Sequence, residues 1–448
     1  MPELKLVEIE PAPLERFQPL VGDRYAQIEK AAAGARQAFD ERRIWHVNST
    51  AQGGGVAEML RALLPYARGA GVDTRWVVLP ETDGFFAVTK RIHNRLHGHE
   101  GDSGALDDRA RAAYERALAW CAEELARLVQ TGDVIYLHDP QTAGLVPAMR
   151  KAGLAVVWRC HIGVDEPNDL AREAWDFLRP YVEGADAYIF SRRAYLWEGL
   201  DPEKAWFMPP VIDPFSPKNE ELDANRRREV LAAVEAKATI LQEGPLPEDA
   251  TVIAQVSRWD RLKDPRGLLE IFEQHLDDPS LRLLLVGPDS AGVSDDPEGA
   301  AVYEEVAEQW RGMDAERRGR ARLISLPMEN LRENALMVNA LQRRADVIVQ
   351  KSLAEGFGLT VAEAMWKARP LVASRVGGIQ DQVVDGETGL LVDDPRDLPG
   401  FARAIEAIVG DRDRCSAMGR AGRERIRDNY LAVDRLREYV DLLRDLIA

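Results

Sequence analysis

The stretch Glu355-Gly-Phe-Gly-Leu-Thr-Val-Ala-Glu363 sets two carboxylates around a pair of glycines. The two oxygens of a carboxylate can accept from adjacent hydroxyls, which suits Glu355 to a hexose and Glu363 to a ribose. The run Val347–Val349 reads as a strand entering this loop, and Leu359 and Thr360 fall in the first turn of a following helix. Gly356, Phe357 and Gly358 then bring backbone N–H groups, together with those of the helix start, toward an anion. The competing reading is that both glutamates cap or solvate the helix, and the flanking glycines weigh against it. Upstream, Gln255-Val-Ser-Arg258-Trp-Asp-Arg-Leu-Lys263 leaves another strand end with two permanent cations. Arg258 can fork across phosphate oxygens while Lys263 adds a compact charge, so the pair suits a diphosphate and the negative charge that grows on it as it leaves. Solvated surface cations are the competing reading, and in a chain with 58 basic residues they are the ordinary case.

A third loop, Asn48-Ser-Thr-Ala-Gln-Gly53-Gly54-Gly55-Val-Ala-Glu58, lies where a strand should pass into a helix. Gly54 and Gly55 would let the backbone approach a phosphate or sugar, although the spacing matches neither Gly-x-Gly-x-x-Gly nor Gly-x-x-x-x-Gly-Lys. Without that first fingerprint and its acidic residue, dinucleotide oxidoreduction is a weak reading. His161 follows Ala155–Trp158 at a strand end, and strand ends of open α/β sheets point into ligand crevices. His93, His97 and His99 sit among Arg, Asn, Gly and Asp residues, which reads as a mobile surface connection and not as a metal site.

Strands must end where these loops begin, and the text supplies them. Short apolar runs at Ile44–Asn48, Thr74–Leu79, Asp133–His138, Ala155–Trp158 and Ala187–Phe190 alternate with longer helical patterns, the grammar of a parallel sheet. It restarts at Val252–Val256, Leu281–Val286, Ala321–Ile324, Val347–Val349 and Pro370–Ala373, after a charged helical region from Asn225 to Leu241. Between the halves, Pro209, Pro210, Pro214 and Pro217 exclude helix and central strand and mark a linker. The expected division is therefore 1–210, a first α/β domain with an N-terminal extension; 211–429, a second α/β domain; and 430–448, a helix with one apolar face packing back on the first domain. Residues Ile28–Phe39 read as one helix, with no chemistry assigned to them.

At 448 residues and 46% hydrophobic, the chain exceeds any small stapled scaffold and has enough apolar surface to fold. Its formal charge of -17 gives a long-range field of the wrong sign for nucleic acid or anionic membrane, so neither is an expected partner. Charged residues interrupt the first twenty positions, no apolar run reaches membrane-spanning length, and Cys121, Cys160 and Cys415 lie far apart. A cytoplasmic enzyme is the expectation.

These motifs, from Trp45 onward, resemble the retaining glycosyltransferases of family 4, in which Glu-x7-Glu recurs. The segment Val376-Gly377-Gly378-Ile379 through Val392 is similar to that family's Gly-Gly loop and following turn, departing at Gln380-Asp381 where Pro-Glu is usual. The resemblance implies a GT-B fold, α/β, with two facing Rossmann-like domains, 1–210 on the acceptor side and 211–429 binding the nucleotide sugar, parallel sheets and an interdomain cleft. It also implies that Arg258 and Lys263 stabilise a departing diphosphate while Glu355 and the Gly377-Gly378 backbone hold the sugar.

Within that family, Asn48-Ser-Thr, His138-Asp139-Pro-Gln141, Trp158-Arg159-Cys-His161-Ile162 and Ser257-Arg258-Trp-Asp260 look like the members that join two glucose units. The implied reaction moves glucose from a nucleoside diphosphate glucose to glucose, giving α,α-trehalose with retention, reversibly and by a same-face route. His161 would touch the sugar or the developing charge, and His138, Asp139, Gln141, Arg159 and Asp165 would form the acceptor side. Gly163 stands where that pattern has Asp, with Asp165 two positions later. No cofactor or metal is implied, since the two cations supply the charge, and a homodimer is one compatible assembly. Two alternatives remain: a trehalose phosphorylase or family 4 transferase with another acceptor, and a noncatalytic nucleotide-sugar sensor.

Overall fold

A computed structural model describes residues 3–51, 54–80, 83–289 and 297–447. The chain divides into two compact units, Met1–Val211 with Tyr430–Ala448, and Ile212–Asn429.

In the first unit, seven strands are ordered β1-β3-β2-β4-β5-β6-β7: β1 Lys5–Val7, β2 Ile44–Asn48, β3 Thr74–Val78, β4 Val134–His138, β5 Ala155–Cys160, β6 Ala187–Phe190 and β7 Ala205–Phe207. All pairs are parallel except β1 with β3. Helices cover both faces, so the central strands are apolar throughout and the pleat sorts their side chains into two cores. Trp45, Val47, Ile135, Leu137, Val156 and Trp158 face one layer of helices. Ile44, Val134, Tyr136, Val157 and Ile189 face the other, which includes Val440, Leu442 and Leu443 of the C-terminal helix Ala432–Ile447. That helix lies against Tyr25–Ala38 and Gly55–Gly69. Asp133 accepts from Trp45 Nε1 at 2.9 Å and from Arg43 N at 3.0 Å, tying the start of β4 to β2.

The second unit repeats the plan in the order β14-β13-β12-β9-β10-β11-β8. Its strands are β8 Thr239–Leu241, β9 Thr251–Val256, β10 Leu281–Pro288, β11 Ala321–Leu326, β12 Val347–Gln350, β13 Leu371–Ser374 and β14 Leu390–Val392. Only β8 pairs antiparallel. Among the parallel strands of each sheet the chain reverses its direction of growth once, between β2 and β4 in the first and between β9 and β12 in the second. Such a switch point opens a crevice beyond the carboxyl ends of the two strands.

Two expectations are corrected. The charged region Asn225–Leu241 is a helix only over Ala224–Lys237, and its last residues form β8. His93 belongs to the helix Asp83–Leu96, because Phe85, Val88, Ile92 and Leu96 recur at helical spacing and are buried. Among the described residues, no helix is long and apolar enough to cross a membrane, and no group of three or more His, Cys, Asp or Glu is arranged to hold a metal.

Candidate active site

In the second unit the loops after β9 and β12 are zipped together at the switch point. Gln255 donates to Lys263 O at 2.8 Å and accepts from Lys351 N at 3.2 Å, and Leu353 N donates to Leu262 O at 2.8 Å. These bonds seat Lys263 against Glu355 in an ion pair with little exposure, to which Ser352 Oγ adds a contact of 3.4 Å. Beside it, Lys351 pairs with Asp264, which caps the helix Pro265–Gln274 by accepting from Gly267 N at 3.0 Å. Arg258 is more open, its side chain 57% exposed and held by Asp260 Oδ2 at 2.9 Å. An exposed guanidinium fork and a seated ammonium on one strand-end loop suit an incoming diphosphate.

The strand-end loops of β12 and β13 meet through glycine. A Cβ on Gly378 would come within 2.6 Å of Phe357 Cα, so only glycine permits the contact that Gly378 N makes to Gly356 O at 3.1 Å. Gly377 takes a φ of 51°. Gln382 fastens the same turn, donating to Phe357 O at 2.6 Å, and is buried. Gly358 precedes the helix Leu359–Trp366, and Thr360 Oγ1 donates to Gln350 Oε1 at 3.1 Å. Glu363, in the second turn, is buried, with Oε1 3.6 Å from Lys218 Nζ. Nearby Lys367 donates to Asn219 Oδ1 at 2.9 Å, and burial lowers its pKa to about 7.

In the first unit, Gly54 and Gly55 lie exposed at the start of the helix Gly55–Gly69; Gln52 and Gly53 lie outside the described residues. Asp139, just past β4, has φ 62° and ψ -178°, a region costly for a residue with a side chain and found at functional sites. Its Oδ1 accepts from His161 N at 2.7 Å. Burial raises its carboxyl pKa to about 7, against the lowering effects of that bond and of Arg159. The protonated form is therefore favoured by folding. The resulting stability is complete below about pH 4 and is lost as pH rises through about 7. Asp139→Asn keeps a carbonyl acceptor for His161 and removes the titration. Urea unfolding at pH 5 and pH 8 should then differ less than in the unsubstituted protein, by on the order of 2 kcal/mol; equal differences in both proteins would refute this.

Gln141 is partly exposed in the turn Pro140–Ala143. Asp165 pairs with Arg192. The glycine at 163 has a packing reason: a Cβ there would lie 2.2 Å from Tyr195 Cγ. Two acceptor-side candidates lie below the surface. Arg159, 1% exposed, points into the core on the side of the C-terminal helix, donating to Met208 O at 3.1 Å with Tyr439 5.7 Å away. It shares a sheet face with His161, and its depth, two residues further down the strand, removes it from the rim. His138 is also 1% exposed, and its two ring nitrogens face His46 and His161. His46, Asp264 and Lys351 were not among the sequence candidates. Their partners lie 92 and 87 positions away, and only strand-end position, as for Lys351 directly after β12, offered a signal.

Residues 46–197 match the family model described as trehalose synthase, N-terminal domain, and residues 236–425 match glycosyl transferases group 1. A trehalose synthase of Thermococcus litoralis is 38% identical over 434 residues, covering 96% of each chain. A trehalose phosphorylase of Grifola frondosa is 25% identical, covering 86% of this chain and 54% of its own. Among solved structures, an α,α-trehalose-phosphate synthase (UDP-forming) from Burkholderia vietnamiensis superposes with a TM-score of 0.68 at 18% identity, over 90% of this chain and 98% of that one. With identity of this extent along nearly the whole length, the chain belongs to the trehalose synthase family and is a glycosyltransferase of GT-B fold.

Proposed function

We propose that this enzyme transfers glucose from a nucleoside diphosphate glucose to free glucose, with retention, to make α,α-trehalose. The observation that carries the reading is the junction in the second unit, where a seated ammonium, its paired carboxylate and a glycine-lined turn come from three neighbouring strand ends. Arg258 and Lys263 stabilise the diphosphate as its bond to the anomeric carbon breaks. Glu355 and the Gly377-Gly378 backbone hold the glucosyl unit, Glu363 takes the ribose, and His161 with Asp139 and Gln141 receives the acceptor. The anomeric hydroxyl of the acceptor forms the new bond on the face that the diphosphate leaves, and its proton passes to a departing phosphate oxygen. Nucleoside diphosphate and trehalose account for all atoms, and the step is reversible. Metal is not needed in this scheme, because two fixed cations meet the charge.

Incubating the protein with UDP-, ADP- or GDP-glucose and glucose should yield a nonreducing disaccharide whose anomeric proton signals show α,α linkage. No such product with any donor sinks the reading. Product cleavage that requires inorganic phosphate favours instead a phosphorylase, the activity named for the Grifola frondosa relative.

A further inference from the structure

Three imidazoles form one hydrogen-bonded chain across neighbouring strands of the first unit. His46 Nδ1 lies 3.1 Å from His138 Nε2, and His138 Nδ1 lies 3.2 Å from His161 Nε2. The rings are near-parallel, with centroids 5.4 and 5.5 Å apart, and His46 also stacks on Tyr136 at 4.7 Å. Sheet register creates the row. His46 stands opposite Tyr136 and His138 opposite Arg159, so each histidine sits one pleat further along its strand than the last, on the same face. The row crosses the switch point between β2 and β4 and climbs from the core to the rim.

Burial, helped by the fixed charge of Arg159, lowers the pKa of His46 to about 3 and holds His161 well below its ordinary value; His138 is lowered by burial, by its two histidine neighbours and by Arg159. A neutral imidazole has one donor and one acceptor, so all links in the chain must point the same way. Either His161 carries its proton on Nδ1 and His46 Nε2 is bare, or the whole order is reversed. The buried end decides between them. Among the described residues His46 Nε2 has no hydrogen-bond partner, and His46 borders a cavity of about 60 Å³ walled mainly by apolar side chains such as Leu63, Leu64 and Val72. An N–H opening on an apolar-walled cavity with no protein acceptor is the costlier arrangement, so the bare nitrogen belongs there.

We propose that His46 and His138 are positioning residues which hold His161 as the Nδ1–H tautomer, so that it presents one fixed donor to a hydroxyl oxygen of the bound sugar. Among the described residues, His161 Nδ1 has no hydrogen-bond partner within the protein, and the residue is only partly buried. The His161 backbone is fixed separately by Asp139, so ring and main chain are each anchored. The inference rests on His161 as a sugar contact, as in the proposed function.

Full-length protein labelled with ¹⁵N-histidine tests it by two-bond ¹H–¹⁵N spectra, which distinguish protonated from bare ring nitrogens. The unsubstituted protein should show His161 protonated on Nδ1. His138→Phe keeps a ring and removes the donor, so His161 should shift mostly to the Nε2–H form. Turnover should fall about tenfold as the competent fraction shrinks, with KM for the donor sugar within about twofold. His138→Asn, whose amide can donate from near the position of Nδ1, should restore the tautomer and recover most of the lost turnover. Nε2–H at His161 in the unsubstituted protein overturns the inference, as does an unchanged tautomer in His138→Phe. The spectrum of the unsubstituted protein decides even if that variant fails to fold. Absence of disaccharide product would sink the trehalose reading while leaving the tautomer measurement to stand or fall separately.

Discussion

Lys263→Ala should lower turnover about 10²- to 10³-fold, the range for removing one preorganised stabiliser of transition-state charge. The loops around Lys263 explain why the effect should fall on kcat. Its backbone is pinned by Gln255 and its ammonium is seated on Glu355 before any ligand arrives, so little reorganisation remains when diphosphate charge develops. The same substitution leaves the largely buried Glu355 carboxylate without that cation, which disturbs the group assigned here to the sugar. Lys263→Arg keeps the charge and widens the head, and should recover only part of the rate. Arg258→Ala should also lower kcat. Because both cations answer the same charge, the double variant should lose less than the product of the two single effects. Single-turnover rates at saturating donor provide the measurement, and a normal rate in either single variant would contradict the role assigned to that residue.

The parts of this site that were legible in the sequence share one property: each lies within a short, continuous stretch. Glu355 to Glu363 could be read as loop and helix start because the strand before it is a run of buried apolar residues, and buried parallel strands show themselves by hydrophobicity alone. The same logic located the central strands of both sheets. It failed for β1, β7, β8 and β14, each three residues long, since so short a segment carries no periodicity and its pairing is decided by neighbours. It failed differently at His93, where polar composition outweighed the spacing of Phe85, Val88, Ile92 and Leu96. The histidine row was invisible for a deeper reason: a two-residue offset between strands exists only once register is set, and His46 by itself is an ordinary strand residue. Arg159 shows the converse. Its type and neighbourhood suggested ligand contact, and only its depth in β5 and the nearby Tyr439 show it to be core.

Glu363→Ala should weaken donor nucleotide binding about 30-fold and leave kcat at saturation within about threefold. A carboxylate accepting from ribose hydroxyls contributes about 1.5–3 kcal/mol per bond. Because the ribose is remote from the bond that breaks, the loss is shared by ground state and transition state and appears in affinity. Destabilisation is the obvious competing explanation, since Glu363 is buried beside Lys218 and near Lys367. Removing one partner of a buried pair usually costs several kcal/mol because a bare charge is left behind. Here that cost is limited. Burial has already brought Lys367 to about 7, so it can release its proton instead of remaining charged, and Lys218 retains some solvent access. A stability loss of only about 1–2 kcal/mol is therefore expected, and the folded variant should remain the dominant species during assay. Calorimetric titration with nucleoside diphosphate, paired with thermal unfolding, separates the two effects: a shifted melting temperature with unchanged affinity would assign Glu363 to packing, whereas lost affinity in a folded protein assigns it to the ribose.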